Sequence, residues 1–364
     1  MDIAIFAKRH WMRWMASLVL LTLVTPGGSA VQEYFDRYGL SAESAAIDIG
    51  TQPLGYPSGV VSAVMQRDRI LKKALQASQQ PFKAHYFLRG ADIVPLLLDR
   101  RLEAGLLGDM PTLLATSKGA VWVVGLVKQT STAIVAKEVT QAANLTGKRI
   151  GYVPTSSAHL TLLQGLASAG LSESKVTLVP LTVGDMPDAL DRGDIDAFAA
   201  WEPAPTIALR KNSSNHIVFR GLTTDYFVIE KSFAKRSPQA AHHVVAGFLR
   251  AIEWMRRSQG HVEKAAQWAM LDTSAFSGKP PALSAAQIAS ITRREILDIP
   301  SAPTVLINSA NPPLKTEFQF LTSLNKMPIG STWANVEVAF TYDGLSKVLA
   351  EPRTYQIRNF DYED

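Results

Sequence analysis

Two stretches of this chain repeat one another. Leu98-Asp99-Arg100, Leu102-Glu103-Ala104, Gly108-Asp109 and Pro111-Thr112-Leu113 follow the same order as Leu190-Asp191-Arg192, Ile195-Asp196-Ala197, Trp201-Glu202 and Pro205-Thr206-Ile207, with two small gaps. Around the second copy, short apolar runs alternate with helical spacing. A strand over 148–153 leads through Pro154-Thr155-Ser156-Ser157 into a helix carrying Leu160, Leu163 and Leu166, which Gly170 stops. A strand over 176–180 follows. A short helix then has Asp185 as its cap, Pro187 in its first turn and Gly193 at its end, and a strand over 195–200 completes the unit. The first third of the chain reads likewise, with strands over 46–50, 82–88 and 103–108 and helices over 59–75 and 91–99. Two βαβαβ units imply an α/β protein of two similar lobes.

In open parallel sheets, ligands sit beyond the carboxyl ends of strands. Trp201-Glu202-Pro203 and Gly108-Asp109-Met110-Pro111 occupy that position in the two units, and proline there withdraws a backbone donor from the ladder and fixes the chain's exit. The strand that ends at Ala200 is therefore expected to end at a cleft wall.

At 364 residues and 47% hydrophobic, the chain can bury a substantial core. Its net charge of +5 is partly due to Lys8, Arg9 and Arg13, and no basic patch is interleaved with aromatics, so nucleic acid is not an expected partner. Those basic residues precede the apolar run 14–24 and the small residues Gly28 and Ala30. This is the pattern of a secretory signal peptide over 1–30, cleaved before Val31, with an apolar run too short to span a bilayer. There is no cysteine for disulfides or for lipidation, so a periplasmic protein held by its core alone is expected. After residues 225–229, read as a strand returning to the first lobe, helices follow from Pro238, around 261–271 and over 284–297. The stretch 301–333 reads as loop and short helix, and a final segment lies near 342–349.

The order Leu145-Thr146-Gly147-Lys148-Arg149-Ile150-Gly151, Ser156-Ser157-Ala158-His159, Ala169-Gly170-Leu171, 189–197 and Trp201-Glu202-Pro203, with Gly108-Asp109-Met110-Pro111 before it, resembles the solute-binding proteins of ABC importers of the nitrate, alkanesulfonate and taurine type, whose fold thiamine-precursor binders share. The resemblance covers roughly 45–271. It implies a two-lobed periplasmic-binding-protein fold of type 2, each lobe a parallel-rich sheet flanked by helices. Lobe 1 would comprise 45–131 and 222–300 and lobe 2 would comprise 132–221, with crossings near 130–133 and 220–226; 301–364 would be an extension packed on lobe 1. It also implies a small-molecule solute, hinge closure, a membrane permease as partner, a monomer and no cofactor.

Ser156, Ser157 and His159 begin a helix, where free N–H groups and the helix dipole favour an anion. Trp201 offers an apolar wall and an N–H donor. Asp109 and Glu202 would repel a bare anion if they faced the cleft and would then favour a taurine-like solute or a cationic heterocycle over nitrate; Asp109, before Met110, also fits a helix cap. The resemblance adds Gln52, Thr130 and Ser131 as solute contacts. Tyr56 and Tyr226 are candidates too, although aromatics near loops more often pack. A catalytic reading lacks support: Ser157 beside His159 has no G-x-S-x-G elbow, no phosphate or dinucleotide fingerprint is present, and His242-His243 lack metal-ligand spacing. Three solute classes remain: organic sulfonates first, thiamine precursors or other heterocycles as the main rival, and nitrate. An enzyme on the same scaffold is the alternative of another kind.

Overall fold

A computed structural model describes residues 36–139, 141–305 and 312–363; the expected signal peptide and its cleavage point lie outside them. The chain divides into two compact units, 1–39 and 40–364. Of the first, only a turn closed by Gly39 N–H donating to the Asp36 carbonyl is described.

The second unit is built on strands β1 (Ile47–Thr51), β2 (Phe82–Tyr86), β3 (Ala104–Gly108), β4 (Val121–Lys137), β5 (Arg149–Tyr152), β6 (Thr177–Pro180), β7 (Ala197–Ala200) and β8 (Asn215–Glu230). They form one eight-stranded sheet in the order β2-β1-β3-β8-β4-β7-β5-β6. The helices are α1 (Ser58–Gln66), α2 (Arg69–Ala77), α3 (Gly90–Leu98), α4 (Asp109–Ser117), α5 (Ser157–Ser168), α6 (Met186–Arg192), α7 (Ala204–Lys211), α8 (Lys231–Arg236), α9 (Pro238–Arg256), α10 (Gln259–Ser277), α11 (Ala285–Thr292), α12 (Pro313–Ser323), α13 (Trp333–Val338) and α14 (Gly344–Ala350).

The two outer thirds of the sheet mirror each other. β1 lies parallel between β2 and β3, and β5 lies parallel between β6 and β7. β4 and β8 run antiparallel for their whole length between them. β3 pairs with the end of β8 at 225–229, whereas β7 pairs with the end of β4 at 133–136. Each half therefore reads as three parallel strands followed by the two long ones in opposite order, the expected two-lobed architecture with two crossing segments. The letter repeat coincides with equivalent structure, β3 into α4 and β7 into α7.

The inner parallel strands β1, β3 and β7 are buried on both faces, which is why Ala104-Gly105-Leu106-Leu107 and Ala197-Phe198-Ala199-Ala200 read as unbroken apolar runs. Two helix starts differ from the sequence expectation. The helix over 59–75 is two helices, because Asp68 leaves helical geometry and caps α2, its Oδ1 accepting from Leu71 N–H at 3.0 Å. Asp185 makes no cap hydrogen bond to α6; its carboxylate accepts from Thr182 at 2.6 Å and pairs with Lys279 at 2.9 Å. Gly193 ends α6 in the left-handed region, φ 78°, as its position predicts.

The long strand β4 was not expected at all. Its ladder with β8 has register shifts between Val123 and Gly125 and between Leu126 and Lys128, which break the alternation that a strand shows in sequence. Along 121–128 its other edge is covered by the C-terminal region: Val123 N–H donates to the Ala339 carbonyl at 2.8 Å, and Leu126 N–H to the Pro303 carbonyl at 2.8 Å.

Candidate anion-binding site

The carboxyl ends of β1, β2, β3, β5 and β7 meet at a small cavity of about 20 Å³. Each strand turns there toward a helix. Ser58 opens α1, Gly90 opens α3, Gly108 precedes α4, and Ser156 and Ser157 open α5; all line the cavity, so four helix N-termini converge on it. Free N–H groups at such ends, and the partial positive charge of each dipole, attract an anion.

Lys128 supplies a full positive charge. It is 1% exposed, lines the cavity and enters no ion pair among the described residues. The register shift after Leu126 re-aims it. Its ladder partner Asp225 also lines the cavity and accepts from the Ser58 hydroxyl at 2.7 Å. Burial raises the pKa of the carboxyls of Asp109 and Glu295, and the Lys128 charge lowers each against that effect.

Close backbone approach shapes the remaining walls. The Ser157 hydroxyl packs against Gly108 where any Cβ would collide with it. A Cβ on Gly55 would lie 2.8 Å from the Trp201 Nε1, so the indole lies directly on that loop. Gln52 completes the wall, its amide donating to the Leu106 carbonyl at 2.8 Å.

Of the sequence candidates, Gln52, Ser156, Ser157 and Trp201 therefore share one cavity. Ser156 also caps α5, accepting from His159 N–H at 3.4 Å and donating to the Val153 carbonyl at 2.7 Å. His159 turns away from this cavity: its Nε2 lies 3.1 Å from Glu173, and its Nδ1 accepts from Thr155 N–H at 3.3 Å. Burial lowers its pKa, and Glu173 partly offsets that. Thr130, Ser131 and Glu202 line a different groove of about 470 Å³ with Arg220 and Arg294. There Glu202 accepts from Thr206 N–H at 3.2 Å at the start of α7 and lies 3.6 Å from Arg294.

Asp109, Met110 and Tyr226 are buried behind the cavity wall. Asp109 accepts from Met110 N–H, its Oδ2 has no hydrogen-bond partner, and burial pushes its pKa up to about 6 against the pull of Ser157, Met110 and Lys128. Beside it lies Glu317 of α12, wholly buried, with Oε2 unpartnered and its pKa raised well above the ordinary range by burial and by Asp109. Tyr226 is raised for the same reasons, burial first and then Glu317, and its ring meets Phe340 edge-on with centroids 6.2 Å apart. Neither Asp109 nor Glu202 lines the cavity; the acid that does is Asp225.

Sequence reasoning missed Lys128, Asp225, Ser58 and Glu317. Lys128 left one signal, as the first charge after the apolar run Val121 to Val127.

Comparison with known proteins agrees with this architecture. Residues 108–270 match the NMT1-like family. A putative aliphatic sulfonates-binding protein of Escherichia coli (strain K12) is 26% identical over 234 residues, 60% of this chain and 72% of that one. The taurine-binding periplasmic protein of the same organism is 31% identical over 163 residues, 42% of this chain, which spans about half, 51%, of that relative. Among solved structures, the alkanesulfonate-binding protein SsuA of Xanthomonas axonopodis pv. citri bound to MOPS superposes with TM-score 0.63 at 23% identity, covering 82% of this chain and 99% of that one. A desulfurization enzyme, DSZB, shares the fold at TM-score 0.53 and 14% identity over 85% of this chain and 99% of that one, so the scaffold alone does not decide between carrier and enzyme. The chain is a homologue of the sulfonate- and taurine-binding periplasmic proteins, and its residues 108–270 carry the match to the NMT1-like family.

Proposed function

We propose that this protein is a periplasmic solute-binding component of an ABC importer, a monomer that captures a small organic sulfonate and presents it to a membrane permease. One observation carries the reading: four helix N-termini and the buried Lys128 converge on a single cavity between the halves of the sheet. A sulfonate spreads one negative charge over three acceptor oxygens, which suits several N–H and O–H donors around one ammonium. The names of the relatives support that class of solute.

The cavity lies between the halves, so their parting would widen the way in for a sulfonate. β4 and β8 are the covalent links about which they would move. A solute touching both halves then favours the closed arrangement by its differential affinity. Ser157 and Trp201 from one half, with Gln52 and Ser58 from the other, would make that contact.

Isothermal titration of purified protein with methanesulfonate, taurine, nitrate and a pyrimidine tests the reading. A sulfonate should bind without product, and Lys128→Met should weaken it about 10- to 150-fold, the loss expected for one charge-assisted hydrogen bond of about 1.5–3 kcal/mol. Turnover of a bound sulfonate would mark an enzyme instead, and binding of nitrate or the pyrimidine alone would replace the solute class.

A further inference from the structure

A second and much larger space opens beside the small cavity. It measures about 570 Å³ and lies between the two halves, with Tyr56, Leu88, Phe276 and Leu283 on one side and Val183 and Ile207 on the other. A pocket of that volume is in the range that encloses an organic ligand. Its charged lining is already neutralised. Lys279 pairs with Asp185 at 2.9 Å, and Asp188 pairs with Lys211 at 2.7 Å. Nothing there serves an anionic head.

The two spaces share a partition. Gly55 lines the small cavity, while its neighbours Leu54 and Tyr56 line the large one. Trp201 lines the small cavity, and Pro203 and Ala204 behind it line the large one. The contact of Gly55 with the indole is what separates them, and it joins one half to the other. Parting the halves to admit a head group loosens this contact and makes the spaces continuous.

We infer that the large groove receives the tail of the solute, so that the substrate class is a sulfonate bearing a bulky apolar group, seated head-first with the tail passing Trp201. This rests on the sulfonate reading of the small cavity and names what that reading leaves open. The flat faces of Tyr56 and Phe276, with Pro203, Pro280 and Pro281, suit a ring system. Taurine, which ends in an ammonium, gains nothing from these walls.

Titration with methanesulfonate, taurine, n-octanesulfonate, naphthalene-2-sulfonate and 2-naphthoate tests the inference. Burying apolar area strengthens binding about fourfold per methylene, so octanesulfonate and naphthalene-2-sulfonate should bind at least about 100-fold more tightly than methanesulfonate. Ile207→Asp and Phe276→Asp, each checked for folding by circular dichroism and melting temperature, should reduce that ratio below about 10. Affinities within about threefold across the series, or a ratio untouched in both folded variants, would overturn the tail groove while leaving the head site standing. Binding of 2-naphthoate with no sulfonate bound at all would keep the groove and refute the sulfonate head. Taurine binding more tightly than naphthalene-2-sulfonate would overturn the inference.

Discussion

Asp109 illustrates how one residue sets both stability and affinity. Burial raises its carboxyl to about 6, so the folded protein holds a proton that the unfolded chain releases at lower pH. Stability contributed this way is present at acid pH and declines as pH rises from about 4 through about 6, remaining lower above; a rise of that size corresponds to about 3 kcal/mol. Asn at this position still offers a carbonyl oxygen to Met110 N–H. Asp109→Asn should therefore be more stable than the parent at pH 7.5, by up to about 3 kcal/mol, with a shallower pH dependence between 4 and 6. Urea unfolding at four pH values checks this, and an unchanged slope would count against it. Glu317 titrates with the same sign, so some slope should persist. Loss of a negative charge behind Ser157 should also tighten anion binding. At this scale, the placing of Ser157 and Trp201 on one cavity was legible because each follows the carboxyl end of a parallel strand, a position the chain order fixes, while Gln52 entered through the family resemblance. Lys128 was not, since a register shift turned it inward, and His159 was misplaced because its ring folds back on Glu173.

Among the elements, the C-terminal region shows what holds the first half together. Asp68 caps α2, and its other oxygen accepts from Arg250 of α9 at 2.7 Å, with both side chains 1% exposed. Arg250 also donates to the Tyr355 carbonyl at 2.8 Å, tying the tail after α14 to the pair. Removing one member of a buried pair leaves the other charge uncompensated, at a cost of about 3–5 kcal/mol. Arg250→Leu should lose about that much in denaturant unfolding and speed amide exchange at 355–362. Combined with Asp68→Asn, which keeps the cap oxygen, most of the loss should return. Equal losses in the single and double variants would mean that the tail contact, not the charge pair, dominates. Strands that follow helices in strict alternation were readable from periodicity. The antiparallel β4 was not, because its bulges break the period, and the region after Ser301 was not, because its task is to cover an edge whose existence depends on β4.

For the molecule as a whole, the closed arrangement is held by few contacts across the halves. Lys279 meets Asp185 at 2.9 Å, and Lys326, in the loop after α12, meets Glu173 at 2.7 Å. The Tyr56 N–H donates to the Glu202 carbonyl at 3.1 Å, and Ser157 rests on Gly108. The two lysine pairs are partly solvated, and such pairs contribute about 0–1 kcal/mol each. Removing both therefore shifts the open-closed balance by up to about 30-fold, enough to be seen and too little to unfold either half. Because the head site lies between the halves, the fraction of open molecules scales the rate of solute entry. Lys279→Met with Lys326→Met should thus raise the association rate severalfold and enlarge the ligand-free radius of gyration in X-ray scattering. Saturating ligand should restore compactness, since the helix ends and Lys128 then draw both halves onto one charge. Added salt should mimic the double variant in the parent protein and have a smaller effect in the variant itself, where the Arg294–Glu202 pair still bridges the halves. An association rate and radius that ignore both substitutions would place the restraint in the backbone contact at Tyr56 and the packing at Gly108 instead.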